Sequence, residues 1–277
     1  MVVPTSADEA VAAFGDGKDV TVIAGGTIVM PELVAGRLRP KKALLLGRAG
    51  LDGIRRANGK VTIGATTPVS ALEDGDEPLA TAARHVGDLE VRAQATVGGN
   101  LCSAASVDAP RGDLQAALVV LGATVRSAGK GGERTEPIES FLASGTGRLV
   151  LDISYDDVPR KTGYAAAYRP HAHHYTILAV AAARDDTGLH VAATGLGPQA
   201  VRLTALEEGD SGQPPLKIPG WRTGMTTPGG SGRKADAEEA VAGLELHDDA
   251  LASAWYRARL LPRLVERALA DLGEGAR

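Results

Sequence analysis

Two short segments pair glycines with hydroxyl and amide side chains: Ala24-Gly25-Gly26-Thr27 and Thr96-Val97-Gly98-Gly99-Asn100. Adjacent glycines remove the Cβ atoms that hold a backbone away from a ligand. They also permit positive φ, so several N–H groups can turn toward one anion. Two such turns, converging from separate parts of a fold, can grip the two phosphates of a dinucleotide. In a chain with 35 glycines one Gly-Gly is ordinary turn punctuation. The ordered pair, flanked by Thr27, Thr96 and Asn100, is the distinguishing signal. The first pair follows the β-branched run Val20–Ile23, so Ile23 and Ala24 stand where a strand ends.

Other chemistry-bearing residues cluster less clearly. Asp108 follows the second glycine segment and serves either a cofactor or a turn ahead of Pro110. Cys102 reads as a packing residue rather than a redox thiol. His171 and His173 share one strand face, but no Cys or carboxylate nearby completes a ligand set, so no metal is expected. Tyr168, His173, His174 and Tyr175 are candidates for proton transfer or ring stacking, with half-buried strand tyrosines and surface histidines as the competing reading. Trp221 sits in a Gly/Pro-rich stretch, as a cover for a site or a docking aromatic. No G-x-G-x-x-G opens a helix after a strand, and P-loop and G-x-S-x-G signatures are missing.

These residues need a scaffold. Val20–Ile23, Ala43–Leu46 and Lys60–Ile63 read as strands, and Thr67-Pro68 as a helix start with Thr67 at the cap. Asp76–Val86 and Asp113–Leu121 have helical apolar spacing. Thr124–Ser127 and Arg134–Pro137 flank Gly129–Gly132 as a hairpin. Beyond residue 148, Leu149–Ile153, Gly163–Tyr168, Tyr175–Ala183 and Leu189–Gly195 suggest consecutive strands of one antiparallel sheet. Gly209–Gly232 reads as a long loop, and helices are expected over Asp236–Ala242 and Asp249–Leu272, the latter kinked near Pro262. The class is α+β.

Composition sets outer bounds. The chain has 277 residues, 44% of them hydrophobic and 23% charged, with a net charge of −4, giving no reason to expect nucleic acid. No uncharged apolar run approaches the ~18 residues of a membrane span, and Met1–Ser6 lacks a secretory pattern, so a cytoplasmic location is expected. One cysteine cannot hold an iron–sulfur cluster, which takes about four thiolates.

Val22–Thr27, Arg39-Pro40, Leu44–Leu46, Val61–Thr67, Glu90–Leu101 and Asp248–Arg257 together resemble the FAD-binding (medium) subunits of the molybdenum hydroxylase family, that of carbon monoxide dehydrogenase and xanthine dehydrogenase. The resemblance implies a two-part, PCMH-like FAD-binding domain over 1–159, with parts of about 1–52 and 53–159. A C-terminal α/β domain over 160–277, an antiparallel sheet with helices, follows. It implies FAD held by Ile23, Ala24, Gly25, Gly26, Thr27, Thr96, Val97, Gly98, Gly99, Asn100, Asp108 and Val150. It further implies electron transfer from a [2Fe-2S] subunit to NAD, oxygen or quinone, with a molybdopterin subunit oxidising the substrate. Ser103–Ser106 and His171–His174 depart from the family pattern. They leave open a stand-alone FAD enzyme acting on a small molecule or NAD; the intact glycine segments argue against a scaffold that has lost the cofactor.

Overall fold

The computed structural model describes residues 1–103, 112–144, 147–168, 176–208 and 246–272. The described residues form three sheets in succession, each nucleating one unit.

In the first unit, Ser6 caps helix α1 (Ala7–Phe14) by accepting from the Glu9 N–H, while the Glu9 carboxylate accepts from the Thr5 N–H at 2.7 Å. This reciprocal pairing satisfies donors that a helix start otherwise leaves open. Strands β1 (Val20–Ile23) and β2 (Lys42–Leu45) are parallel, so the chain crosses over between them through α2 (Val29–Val34). Phe14, Leu44 and Leu46 pack against Leu149 and Leu151 of the next unit.

The second unit supplies β3 (Ile54–Ala57), β4 (Lys60–Gly64), α3 (Leu79–Arg84), α4 (Leu89–Gln94), α5 (Val97–Leu101), α6 (Gln115–Val120), β5 (Thr124–Ala128), β6 (Arg134–Pro137), α7 (Ile138–Ala143) and β7 (Leu149–Asp156). Its antiparallel sheet has the order β3-β4-β7-β5-β6. Ile63, Val125 and Ile153 join Leu101, Leu118 and Phe141 in one buried core.

The third unit is an antiparallel meander of β8 (Lys161–Tyr168), β9 (Thr176–Asp185), β10 (Gly188–Thr194) and β11 (Val201–Arg202), followed by α8 (Thr204–Glu208) and α9 (Ala254–Asp271). β9 is buried on both faces, which explains its near-continuous apolar sequence. Ala181 and Ala183 join the second unit's core, whereas Leu178 and Val180 pack with Leu261, Leu264 and Val265 of α9. The alternation follows the period of two of a strand.

The α+β class expected from the sequence is the one observed, with local corrections. β7 pairs with β4 and β5 and belongs to the middle sheet, not to the C-terminal meander. Thr67 does not cap a helix; its hydroxyl donates to the Gly53 carbonyl, and a 3₁₀ turn runs over Val69–Leu72. The final helix begins at Ala254 rather than Asp249, capped by Ser253, and continues through Pro262. The proposed helix over 236–242, the loop over 209–232 and Trp221 lie outside the described residues, as do His171 to Tyr175 and Asp108.

Candidate functional site

A cavity of about 840 Å³ opens where the three units meet. That volume falls within the roughly 300–1,000 Å³ of small-molecule and cofactor sites.

The first glycine segment forms one wall. Gly26 has φ 75°, a conformation that favours glycine, and it turns the chain from β1 into α2. Among the described residues no protein acceptor takes the N–H groups of Gly25, Gly26, Thr27 or Ile28. Four successive backbone donors beside a cavity make a cradle for an anion.

The second glycine segment works differently. It is not a loop but the first turn of α5, capped by the Thr96 hydroxyl, which accepts from the Gly99 N–H at 3.2 Å. Neither Gly98 nor Gly99 has positive φ. The Val97, Gly98 and Asn100 N–H groups are also taken, by the carbonyls of Thr67, Ala65 and Thr96 at 2.9, 2.8 and 2.8 Å. These glycines therefore clear space rather than supply donors. A Cβ on Gly98 would lie 2.9 Å from the Ala65 Cβ and carbonyl, so Gly98 lets α5 lie against the chain after β4. Gly99 is exposed to the cavity, and there a Cβ would approach only the Thr96 hydroxyl, at 2.9 Å.

Asn100 is buried and points its amide at the next helix start. Its Oδ1 accepts from the Leu114 N–H at 3.0 Å, and its Nδ2 donates to Asp113 at 3.5 Å. Asp113 is itself 5% exposed and lines the cavity. A carboxylate oxygen held there can accept from ligand hydroxyl or N–H groups.

The remaining walls differ in character. On the first unit's side Phe14, Val20 and Val22 meet Leu149 and Val150. Arg148 is also there, but its donors go to Ser127, Lys130 and Gly132 carbonyls and the Ser127 hydroxyl. Burial and then the charge of Arg134 pull its guanidinium below the ordinary value. On the third unit's side stand Thr176 and Leu251, beside Val86 and Gly87. Cys102, half-buried, lines the cavity too, and burial pushes its thiol up to about 12, which favours the protonated form.

Of the residues named from sequence, Ala24, Gly25, Gly26, Thr27, Thr96, Gly98, Gly99, Asn100 and Val150 come together around this cavity. Val97 faces the core, and Ile23 does not line the cavity. Tyr168 stands outside the cavity wall at the end of β8, 46% exposed, its ring 6.1 Å from that of His85. His173, His174, Tyr175 and Asp108 are not among the described residues. Thr176, which follows Tyr175, is in the wall. Sequence reasoning missed Asp113, Thr176 and Leu251. A carboxylate directly ahead of the buried run Leu114–Leu121 was the available signal for Asp113. Among the described residues no group of His, Cys, Asp and Glu is arranged to hold a metal, and no helix is long and apolar enough to cross a membrane.

Residues 1–153 match the family described as FAD binding domain in molybdopterin dehydrogenase. The chain is 27% identical over 299 aligned residues to 6-hydroxypseudooxynicotine dehydrogenase complex subunit alpha of Paenarthrobacter nicotinovorans, covering 100% of this chain and 95% of that protein. It is 31% identical over 147 residues to the carbon monoxide dehydrogenase medium chain of Hydrogenophaga pseudoflava, about 50% of each. The solved carbon monoxide dehydrogenase from Hydrogenophaga pseudoflava superposes with a TM-score of 0.78 at 23% identity, covering 98% of this chain and 96% of that one. Quinoline 2-oxidoreductase from Pseudomonas putida 86 gives 0.77 at 20% identity, covering 99% and 96%. At these identities the structural likeness establishes the fold.

Proposed function

The chain belongs to the family of FAD-binding domains of molybdopterin dehydrogenases, and on that premise we propose that it is the electron-transfer flavin subunit of a molybdenum hydroxylase complex. The observation carrying this reading is the cavity itself, where a cradle of unengaged N–H groups faces a glycine that leaves room for close approach.

The residues fit FAD. The Gly25, Gly26, Thr27 and Ile28 N–H groups receive the diphosphate, which accords with the absence of an available Lys or Arg among the described lining residues. Gly99 gives the backbone clearance for it. The apolar side at Phe14, Val20 and Val22 suits the adenine. The side holding Asp113, Ser103 and Thr176 suits the polar edge of the flavin ring, with Asn100 keeping Asp113 in place. When bound, the flavin supplies the hydride and single-electron chemistry.

A cluster needing about four thiolates cannot sit on a chain whose single cysteine is Cys102, so iron–sulfur clusters in such a complex belong to a partner chain. We assign molybdopterin and substrate oxidation to a further partner, and NAD, oxygen or a quinone as the acceptor. In the alternative, a stand-alone flavoenzyme, Tyr168, His173, His174 and Tyr175 handle protons beside the ring. Support for that alternative is limited to the position of Thr176, the residue after Tyr175, in the cavity wall.

Whether molybdopterin-binding and cysteine-rich chains are encoded beside it, and co-expression with them, test the subunit reading. We expect one complex on size exclusion, and flavin in the isolated chain that dithionite reduces but organic substrates do not. Direct bleaching of the isolated flavoprotein by an organic substrate other than NADH or a quinol contradicts the subunit reading and supports the stand-alone one.

A further inference from the structure

Arg257 is fully buried, at 0% exposure, within the first turns of α9. A buried cation ordinarily costs stability unless its surroundings return the hydration it loses. Here the guanidinium is spent almost entirely on backbone. Nη1 donates to the carbonyls of Ile177 and of Gly195, the latter at 2.6 Å. Nε donates to the His247 carbonyl at 3.2 Å, and Nη2 to the Asp249 carboxylate at 2.6 Å and the Ala252 carbonyl at 3.5 Å. One side chain thus ties the start of β9, the end of β10 and the 247–252 segment to α9.

The two strand ends meet this cation because of Gly195. Its φ is 92°, and a Cβ there would fall 2.3 Å from the Ile177 carbonyl oxygen. Only without a side chain can both carbonyls converge on one nitrogen. Asp249 works from the other direction. The same Oδ1 that pairs with Arg257 accepts from the Leu251 N–H at 2.9 Å and the Ala252 N–H at 3.1 Å. The Asp249 N–H in turn donates to the Ala252 carbonyl at 3.1 Å. Leu251 is therefore carried on a closed turn whose anion is anchored by Arg257.

Thr176 and Leu251 are the third unit's described contributions to the cavity wall. Thr176 is bonded in sequence to Ile177, and Leu251 lies between Asp249 and Ala252. Both are held at one remove by the same guanidinium.

We propose that Arg257 is a positioning residue for the flavin-ring side of the cofactor site, fixing Thr176 and Leu251 together so that this wall is set before the ring arrives. The proposal rests on the reading above that FAD occupies the cavity with its ring on the third unit's side. Its distinguishing feature is selectivity. ADP carries the adenosine and diphosphate but no ring, so its binding is indifferent to Arg257, whereas FAD binding is not.

The test uses the full chain stripped of flavin, with Arg257→Lys and Asp249→Asn. Lysine keeps the charge but places its donors on one nitrogen instead of a planar fork, so it cannot reach all the carbonyls. Losing one or two charge-assisted hydrogen bonds corresponds to a roughly tenfold to hundredfold weaker FAD affinity, with ADP affinity kept within about twofold. The visible spectrum of the flavin still bound should lose its resolved shoulder and move toward that of free FAD. Asp249→Asn, which loosens the anchor without altering α9, should give the same pattern in smaller measure, and it decides the matter if Arg257→Lys does not fold. Equal losses for FAD and ADP, or unchanged FAD affinity and spectrum in a folded variant, overturn the proposal. A wild-type chain that binds ADP but not FAD refutes the underlying flavin reading instead, and that outcome is visible before any variant is made.

Discussion

Gly25 rests directly on the backbone of Gln94: a Cβ at Gly25 would lie 1.9 Å from the Gln94 carbonyl oxygen and 3.0 Å from the Ala95 Cα. Gln94 and Ala95 immediately precede Thr96, the cap of α5. The first glycine segment therefore touches the residues just ahead of the second, and the first unit is seated there directly on the second. The missing side chain at Gly25 sets the width of the cleft between them. Its neighbour Gly26 sets the direction of the N–H groups.

Gly25→Ala forces a methyl into main chain that cannot rotate away. We expect a cost of about 1–3 kcal/mol, the usual penalty for overpacking. Thermal unfolding with and without FAD checks this: the melting temperature of the flavin-free chain should drop, and flavin content should fall with it. An unaltered melting temperature would mean that Gly25 does not rest on the Gln94 backbone.

Gly99→Val separates clearance from folding. Gly99 is helical and faces the cavity, so valine there disturbs the Thr96 cap, worth ~1 kcal/mol, and otherwise projects toward the ligand. The variant should fold and lose FAD. Gly98→Val, by contrast, drives into Ala65 and should fail to fold stably. Flavin retention in Gly99→Val, measured by absorbance after gel filtration, would remove α5 from the cofactor's path.

Cys102 gives a pH prediction. Its folded-state thiol is pushed up to about 12 from an ordinary value of 9.0. The stabilising effect of keeping the thiol neutral and buried is thus fully present below pH 9 and is lost as pH rises toward 12. Alkylation at pH 9 should run more than about a hundredfold slower in the folded chain than in guanidinium, because a shift of that size leaves far less thiolate. Comparable rates in both states would show an open, reactive thiol.

Much of the scaffold is legible in the sequence because it is local. β1 and the β5–β6 hairpin follow from β-branched runs and glycine turns, and the first glycine segment follows from its place after β1. What escapes is set by distant partners. β7 looks like the first strand of a new sheet until its pairing with β4 and β5 is known. Gly98 and Gly99 look like a loop because glycine disfavours helix, yet the Thr96 cap and the packing on Ala65 override that preference. Asp113 acquires its meaning only through Asn100, thirteen positions earlier. Thr176 and Leu251 line the cavity from two segments whose neighbours Ile177 and Asp249 both bond Arg257, a link that no local pattern reveals.

Flavin analysis of the purified 277-residue chain tests the central claim most directly. A cavity walled by three units, with unengaged N–H groups at Gly25 to Ile28, should hold FAD tightly and without a covalent bond. The account predicts a yellow protein carrying stoichiometric FAD, all of it released into solution by acid precipitation. A colourless protein that takes up no added FAD, in a chain whose circular dichroism shows it folded, would contradict it.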